Sequence, residues 1–182
     1  NRFKLAESLV DFKHLDKVLD VGCGTGTFIR YLLKSYNFHR IKGIDISDNL
    51  IEYCNTNRVK NEEFTCTDLL DLDNEEQFDF ISLIGVLQKT NHEVSIIFNK
   101  LHTLLTPHGI VFLTTKNIMW DKFTTGELSP ETDHNWFVPQ EIEQSILDSG
   151  FFIIQGNGFI PADNQIVPFN QSHSFFILAG KK

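Results

Sequence analysis

Residues 18 to 28, Val18-Leu19-Asp20-Val21-Gly22-Cys23-Gly24-Thr25-Gly26-Thr27-Phe28, constrain the fold more than any other stretch. An apolar run holding one acid ends in glycine at every second position, and an apolar-periodic segment follows. The run reads as a buried strand and the segment after it as a helix. Glycine permits positive φ and lets a ligand approach the backbone closely. The helix start presents unpaired N–H groups to whatever binds there. A tight turn with no ligand is the plainer alternative, but closely spaced glycines lower local stability without a packing gain. The stretch therefore predicts a ligand site at the carboxyl end of the first strand of an α/β sheet.

The rest of the chain alternates strand and helix at short spacing. Strands are predicted at Val18 to Val21, Ile41 to Ile46, Phe64 to Thr67, Phe78 to Ile84 and Ile110 to Thr115, with closing strands at Phe151 to Ile154 and Ser174 to Ala179. Helices are predicted over residues 3 to 15, Thr27 to Ser35, Ser47 or Asp48 to Arg58, and Val94 to Leu105. A last one starts at Pro139 and stops before Gly150. This order predicts a three-layer Rossmann-like fold, with a mostly parallel seven-stranded sheet and a C-terminal antiparallel hairpin. No repeat or linker interrupts it, so residues 1 to 182 read as one domain.

Composition narrows the partners. The chain carries a net charge of −8 with no basic footprint, which argues against nucleic acid and anionic membranes. Cys23, Cys54 and Cys66 form no CxxC pair, so no metal site is expected and a reduced, cytoplasmic setting fits best. No apolar run approaches the ~18 residues of a membrane span. The chain begins at Asn1, so a short N-terminal segment is expected to be missing. Nothing in the pattern bears on oligomeric state.

The spacing of the glycines selects the ligand. A dinucleotide fingerprint needs a small third residue inside the helix, yet Thr27 or Ile29 stands there. No Gly-Lys-Ser/Thr follows for a phosphate loop. Asp-x-Gly-x-Gly-x-Gly instead resembles motif I of class I S-adenosylmethionine-dependent methyltransferases. Further elements match the small-molecule type 11/type 12 branch of that family, in order. They are Asp45 in Gly43-Ile44-Asp45-Ile46-Ser47, Asp68 in Cys66-Thr67-Asp68-Leu69, the fourth strand from Phe78 to Gln88, and the turn Leu104 to Ile110.

The resemblance implies a methyl transfer from S-adenosylmethionine, leaving S-adenosylhomocysteine, to an oxygen or nitrogen of a small molecule. The many aromatics of residues 116 to 138 suit a sugar, an aromatic or a lipid-linked precursor, and a weak likeness to methyltransferases encoded among surface-polysaccharide genes puts sugars first. It also implies site roles. The amino-acid moiety would lie over Asp20, Gly22, Cys23, Gly24, Thr25 and Gly26. Asp45 would accept the ribose hydroxyls, Asp68 the adenine amino group beside Thr67, and Ile46 and Leu69 would sandwich the ring. Ile84, Gly85, Leu87 and Gln88 would flank the methionine end. The fourth strand has no acid or Asn followed by Pro-Pro and an aromatic, and no Pro-Cys pair occurs anywhere in the sequence, which argues against nucleic-acid base methylation. A non-catalytic cofactor-binding module and an NAD-linked oxidoreductase are the rival readings.

Residues 116 to 138 read as a long irregular loop on the acceptor side. Lys116, Trp120, Trp136 and Phe137 are its candidate acceptor residues. His134 is the candidate general base and His92 the second, because imidazole titrates near neutral pH. For both, a plain structural role is the alternative.

Overall fold

The strand expected at Val18 is β1 (Lys17–Val21), and it lies in the interior of the sheet. Alternation along a strand sends side chains to opposite faces. Val18 joins one apolar cluster, and Leu19 and Val21 join the other. The computed structural model describes residues 2–59 and 61–182. β2 (Arg40–Asp45) and β3 (Glu62–Cys66) extend the sheet on one side of β1. β4 (Phe78–Ile84) and β5 (Leu105–Lys116) extend it on the other, all in parallel. The strand order therefore reverses between β1 and β4, with β2 and β3 to one side and β5 to the other, which opens a crevice at their carboxyl ends.

β6 (Phe151–Ile160), β7 (Gln165–Val167) and β8 (Ser174–Lys181) complete an eight-stranded sheet of order β3-β2-β1-β4-β5-β8-β6-β7. β8 is antiparallel to both β5 and β6, as the predicted closing hairpin requires. The sheet has one strand more than expected. Gly156 and Gly158 break the apolar alternation after Ile154, but the strand continues through them to Ile160 and pairs there with β7. A Cβ on Gly158 would lie 2.7 Å from the Pro168 carbonyl, so glycine is what admits this close return of the chain.

α1 (Arg2–Leu9), α2 (Thr27–Leu32) and α3 (Asp48–Thr56) cover one face, where Leu5, Phe28, Ile29 and Ile51 meet Val18, Ile41 and Phe80. α4 (Val94–Leu104) and α6 (Pro139–Asp148) cover the other with Ile97, Phe98, Leu101, Ile142 and Ile146. Each such buried side chain contributes roughly 1.5–3 kcal/mol. The helix predicted over 3 to 15 stops at Leu9 and resumes as a 3₁₀ turn, Phe12–His14, capped by Asp11 accepting from the Lys13 N–H at 3.1 Å. Pro107-His108-Gly109 falls inside β5 rather than before it, because Leu105 already pairs with Phe78.

Candidate functional site

The turn after β1 is built on positive φ: 65° at Gly22, 54° at Gly24 and 73° at Gly26. L-residues with a Cβ are strained there. The space around the glycines differs. A Cβ on Gly26 would lie 2.7 Å from the Phe64 ring, and one on Gly22 would lie 2.6 Å from Val86. A Cβ on Gly24 would meet nothing within 4 Å. Gly22 and Gly26 thus admit protein, and Gly24 faces open space. The Gly24 N–H donates to Asp45 Oδ2 at 2.9 Å, and Asp45 Oδ1 accepts from the Ser47 N–H at 2.9 Å.

Two cavities meet at Gly22. The first, of about 250 Å³, is lined by Asp45, Ile46, Thr67, Asp68, Leu69 and Gly85 among others, and it reaches His92. Ile46, 76% exposed, projects beside it, whereas Leu69 is buried. Asp68 caps the 3₁₀ turn Leu69–Asp71 through the Leu70 N–H at 2.9 Å, and its other oxygen lies 3.0 Å from His92 Nε2. Burial alone would raise the Asp68 carboxyl, but the Leu70 N–H and the His92 ring together hold it below the usual carboxylate range.

The second cavity, of about 700 Å³, is lined by Arg2, Asp20, Gly22, Cys23, Gly24, Thr25 and Ile84. Asp20 is 3% exposed and accepts from Ser82 Oγ at 2.7 Å, across the β1–β4 register. Burial drives its carboxyl up to about 7, against the Ser82 hydrogen bond and aided by the Asp45 charge. Among the described residues no cation pairs with Asp20. Burial also raises the Cys23 thiol, foremost among several causes, so that residue packs beneath the turn as an unreactive small hydrophobe.

Sequence reasoning missed Arg2. Its guanidinium comes within 3.1 Å of where a Gly85 Cβ would lie, and among the described residues it makes no hydrogen bond or ion pair. The available signal was a cation at the very start of an amphipathic N-terminal helix. Val86, over Gly22, and His173, at the entry to β8, were also missed.

The other expected residues are dispersed. Leu87 is fully buried in the core and borders neither cavity, and Gln88 is 8% exposed, its carbonyl accepting from the Asn135 N–H. The segment 116 to 138 is pinned rather than loose. The Phe137 N–H donates to the Lys116 carbonyl, the Ile118 N–H donates to the Phe137 carbonyl, and α5 (Asp121–Thr124) sits between them. Trp120, Phe123 and Trp136 pack in T-shaped contacts at 5.1 and 5.0 Å. His134 Nδ1 lies 2.7 Å from Asp133 Oδ1 and 3.4 Å from Glu131, so His134 and His92 occupy separate places, each bound to an acid. Ligand atoms of Glu131, Asp133 and His134 lie within 4.8 Å of one another, a grouping wide enough for a metal ion, with Lys89 and Lys116 balancing its acids.

A family model described as a methyltransferase domain matches residues 18–109, half of the chain. The chain belongs to the class I S-adenosylmethionine-dependent methyltransferases. This methyltransferase is 32% identical over 118 residues to the malonyl-[acyl-carrier protein] O-methyltransferase of Acetivibrio thermocellus, covering 62% of this chain and 41% of that one. It is 25% identical over 158 residues to a ubiquinone biosynthesis O-methyltransferase of Rhodopseudomonas palustris, covering 79% of this chain and 61% of that one. It therefore spans about half the length of these relatives. In fold, the methyltransferase superposes on an S-adenosylmethionine-dependent methyltransferase from Mesorhizobium loti with a TM-score of 0.78 at 15% identity, over 98% of this chain and 96% of that one. The N-methyltransferase NodS from Bradyrhizobium japonicum, solved with S-adenosyl-L-homocysteine, gives 0.71 at 17% identity, over 99% and 85%. Among the described residues no helix is long and apolar enough to cross a membrane.

The geometry of the methyltransferase fits its cofactor. Gly24 leaves open the space that a side chain would fill, and a buried acid without a cation faces the same cavity as a guanidinium without an anion.

Proposed function

We propose that this protein transfers a methyl group from S-adenosylmethionine to a small-molecule acceptor, at oxygen first and nitrogen second. One observation carries the cofactor assignment. Asp20 and Arg2 line a single cavity, and among the described residues neither has an oppositely charged side chain as an ion-pair partner, Asp20 being held only by the Ser82 hydroxyl. That pair matches the ammonium and carboxylate of an amino-acid moiety, which NAD lacks. Oxygen is favoured because both relatives above are named O-methyltransferases. Sugars and lipid-linked precursors stay within this class, and a single cytoplasmic domain is the setting we infer.

The residues then divide the work. Asp20 holds the ammonium, Arg2 the carboxylate, and Asp45 the ribose hydroxyls through lone pairs not used by Gly24 and Ser47. Asp68 and Leu69 hold the adenine, with Ile46 over it. When bound, the cofactor supplies a methyl group already activated on a sulfonium. The protein's own contribution is orientation and exclusion of water, so a dedicated base is needed only for a poorly acidic hydroxyl.

Calorimetry tests the assignment. S-adenosylhomocysteine should bind in the micromolar range, about −8 kcal/mol. Arg2→Met should weaken it about ten- to a hundred-fold while leaving methylthioadenosine, which lacks the amino-acid moiety, unchanged. Tight NAD binding with no response to S-adenosylhomocysteine would overturn the reading. Methyl transfer from radiolabelled cofactor across an acceptor panel separates an enzyme from a binding module.

A further inference from the structure

We propose that the methyl acceptor carries an oxyanion, a carboxylate or a phosphate, and that the Lys116 ammonium receives it beside the aromatic wall of Trp136, Phe123 and Trp120. The proposal rests on the methyl-transfer reading and names the substrate class for the same site.

Lys116 ends β5, two residues beyond Thr114, whose carbonyl accepts from the Gly85 N–H at 2.9 Å. This puts Lys116 at the carboxyl edge of the sheet, next to the strand whose end Arg2 approaches. Its side chain is 13% exposed and lies over the Trp136 ring at 5.1 Å. Among the described residues its Nζ makes no hydrogen bond. The nearest carboxylate oxygen, on Glu131, is 3.8 Å away, beyond hydrogen-bond length. Glu131 is itself largely exposed and shared with His134 at 3.4 Å.

An ammonium taken out of water without hydrogen bonds is costly, and a structural lysine is ordinarily paired. Lys122, on the same segment, shows the ordinary case. It also lies near a tryptophan, yet it stays exposed and binds Glu127 at 2.9 Å. Lys116 has the contact with the ring, but its acid, Glu131, stands 3.8 Å away without a hydrogen bond and is shared with His134. Arg2 is assigned to the cofactor carboxylate and Lys89 is exposed beside Asp133 at 3.5 Å, so Lys116 is the more buried cation available to the acceptor.

His173 adds a second observation. Its ring lies 5.4 Å from the Trp120 ring, tilted by 46°, and makes no hydrogen bond among the described residues. Burial first, then the charges of Lys116 and Arg2, lower its imidazole, with Glu131 opposing them. A neutral ring beside two cations can donate one N–H to an oxyanion. Lys116 and the His173 ring thus offer an oxyanion one charge and one N–H donor on the same side.

The test uses the protein saturated with S-adenosylhomocysteine and reads weak binding by ligand-observed NMR. The probes are benzoate, phenyl phosphate and the neutral benzamide. At least one anion should bind ten-fold or more tightly than benzamide, and the tighter of the two identifies carboxylate or phosphate. Lys116→Gln should abolish the preference with less than a two-fold change in S-adenosylhomocysteine affinity, and Lys116→Arg should keep it. Equal binding of anion and amide, no anion binding at all, or a preference that survives Lys116→Gln or is lost in Lys116→Arg overturns the proposal. Failure of the wild type to bind S-adenosylhomocysteine would instead sink the methyl-transfer reading, and this one with it.

Discussion

Asp45 Oδ2 accepts the Gly24 N–H at 2.9 Å, so the acid at the end of β2 holds the glycine turn at the end of β1. The Cys54 thiol donates to the Gly24 carbonyl at 3.3 Å, which fastens the same peptide from α3. A residue expected to touch only the ribose therefore also shapes the turn beneath it.

Asp45→Ala removes both functions. Loss of charged hydrogen bonds of this kind is worth on the order of 1.5–3 kcal/mol. Affinity for S-adenosylhomocysteine should fall about ten- to a hundred-fold by calorimetry. A change under two-fold would remove Asp45 from the site.

Gly24 and Gly26 should separate binding from folding. Both alanine variants carry the strain of a positive φ, roughly 1–2 kcal/mol. The Gly26 Cβ also meets Phe64 at 2.7 Å, whereas the Gly24 Cβ meets nothing. Overpacking adds about 1–3 kcal/mol. Gly26→Ala should therefore lower the melting temperature more than Gly24→Ala. Gly24→Val should lose cofactor affinity while the fold is kept, and unchanged affinity there would mean that the turn is not the site.

Asp20 predicts a pH dependence of defined sign. Its folded carboxyl stands at about 7, above the ordinary 3.8, so the folded protein holds that proton more tightly than the unfolded chain does. The resulting stability is fully present below about pH 4 and is lost as pH rises through about 7. Cofactor binding runs the other way, because the ammonium needs the ionised acid. Affinity should rise up to about ten-fold per pH unit below 7 and level off above it. Asp20→Asn should flatten that profile, bind more weakly, and stabilise the free protein at pH 8 by on the order of a few kcal/mol. A binding profile that stays the same in wild type and variant would exclude Asp20 from the ammonium.

His92 and His134 should act on different constants. His92 is bonded to Asp68 at the first cavity, so His92→Ala should weaken cofactor affinity by roughly 1 kcal/mol and leave the rate at saturation intact. If His134 is a general base, His134→Ala should lower that rate by ~10²-fold or more at unchanged affinity, and a loss of ten-fold or less assigns it a positioning role. Trp136→Ala should likewise reduce turnover rather than cofactor affinity. Full activity in both loop variants would move the acceptor site away from residues 116 to 138.

The sequence by itself determined the framework. Local chemistry carries it: apolar alternation sets strands and helices, and glycines at every second position demand a turn that few residues can adopt. Hence Val18 to Phe28, Asp45 and Asp68 were legible in the chain, and they come together at one sheet edge. The tertiary structure decided what depends on distant partners. Leu87 sits in line with the site in sequence but turns into the core, where it joins the apolar cluster that also holds Ile97 and Leu101 of α4. His92 looked like a base and is bonded to Asp68, 24 positions away in sequence. Lys116 was legible as an acceptor candidate, but Arg2 and His173 carry no motif, and only the packing of α1, β5 and β8 brings them within electrostatic reach of one another. Periodicity acts within one element and is written in neighbouring residues. Electrostatic partnership acts through space, between residues that only the folded chain makes neighbours.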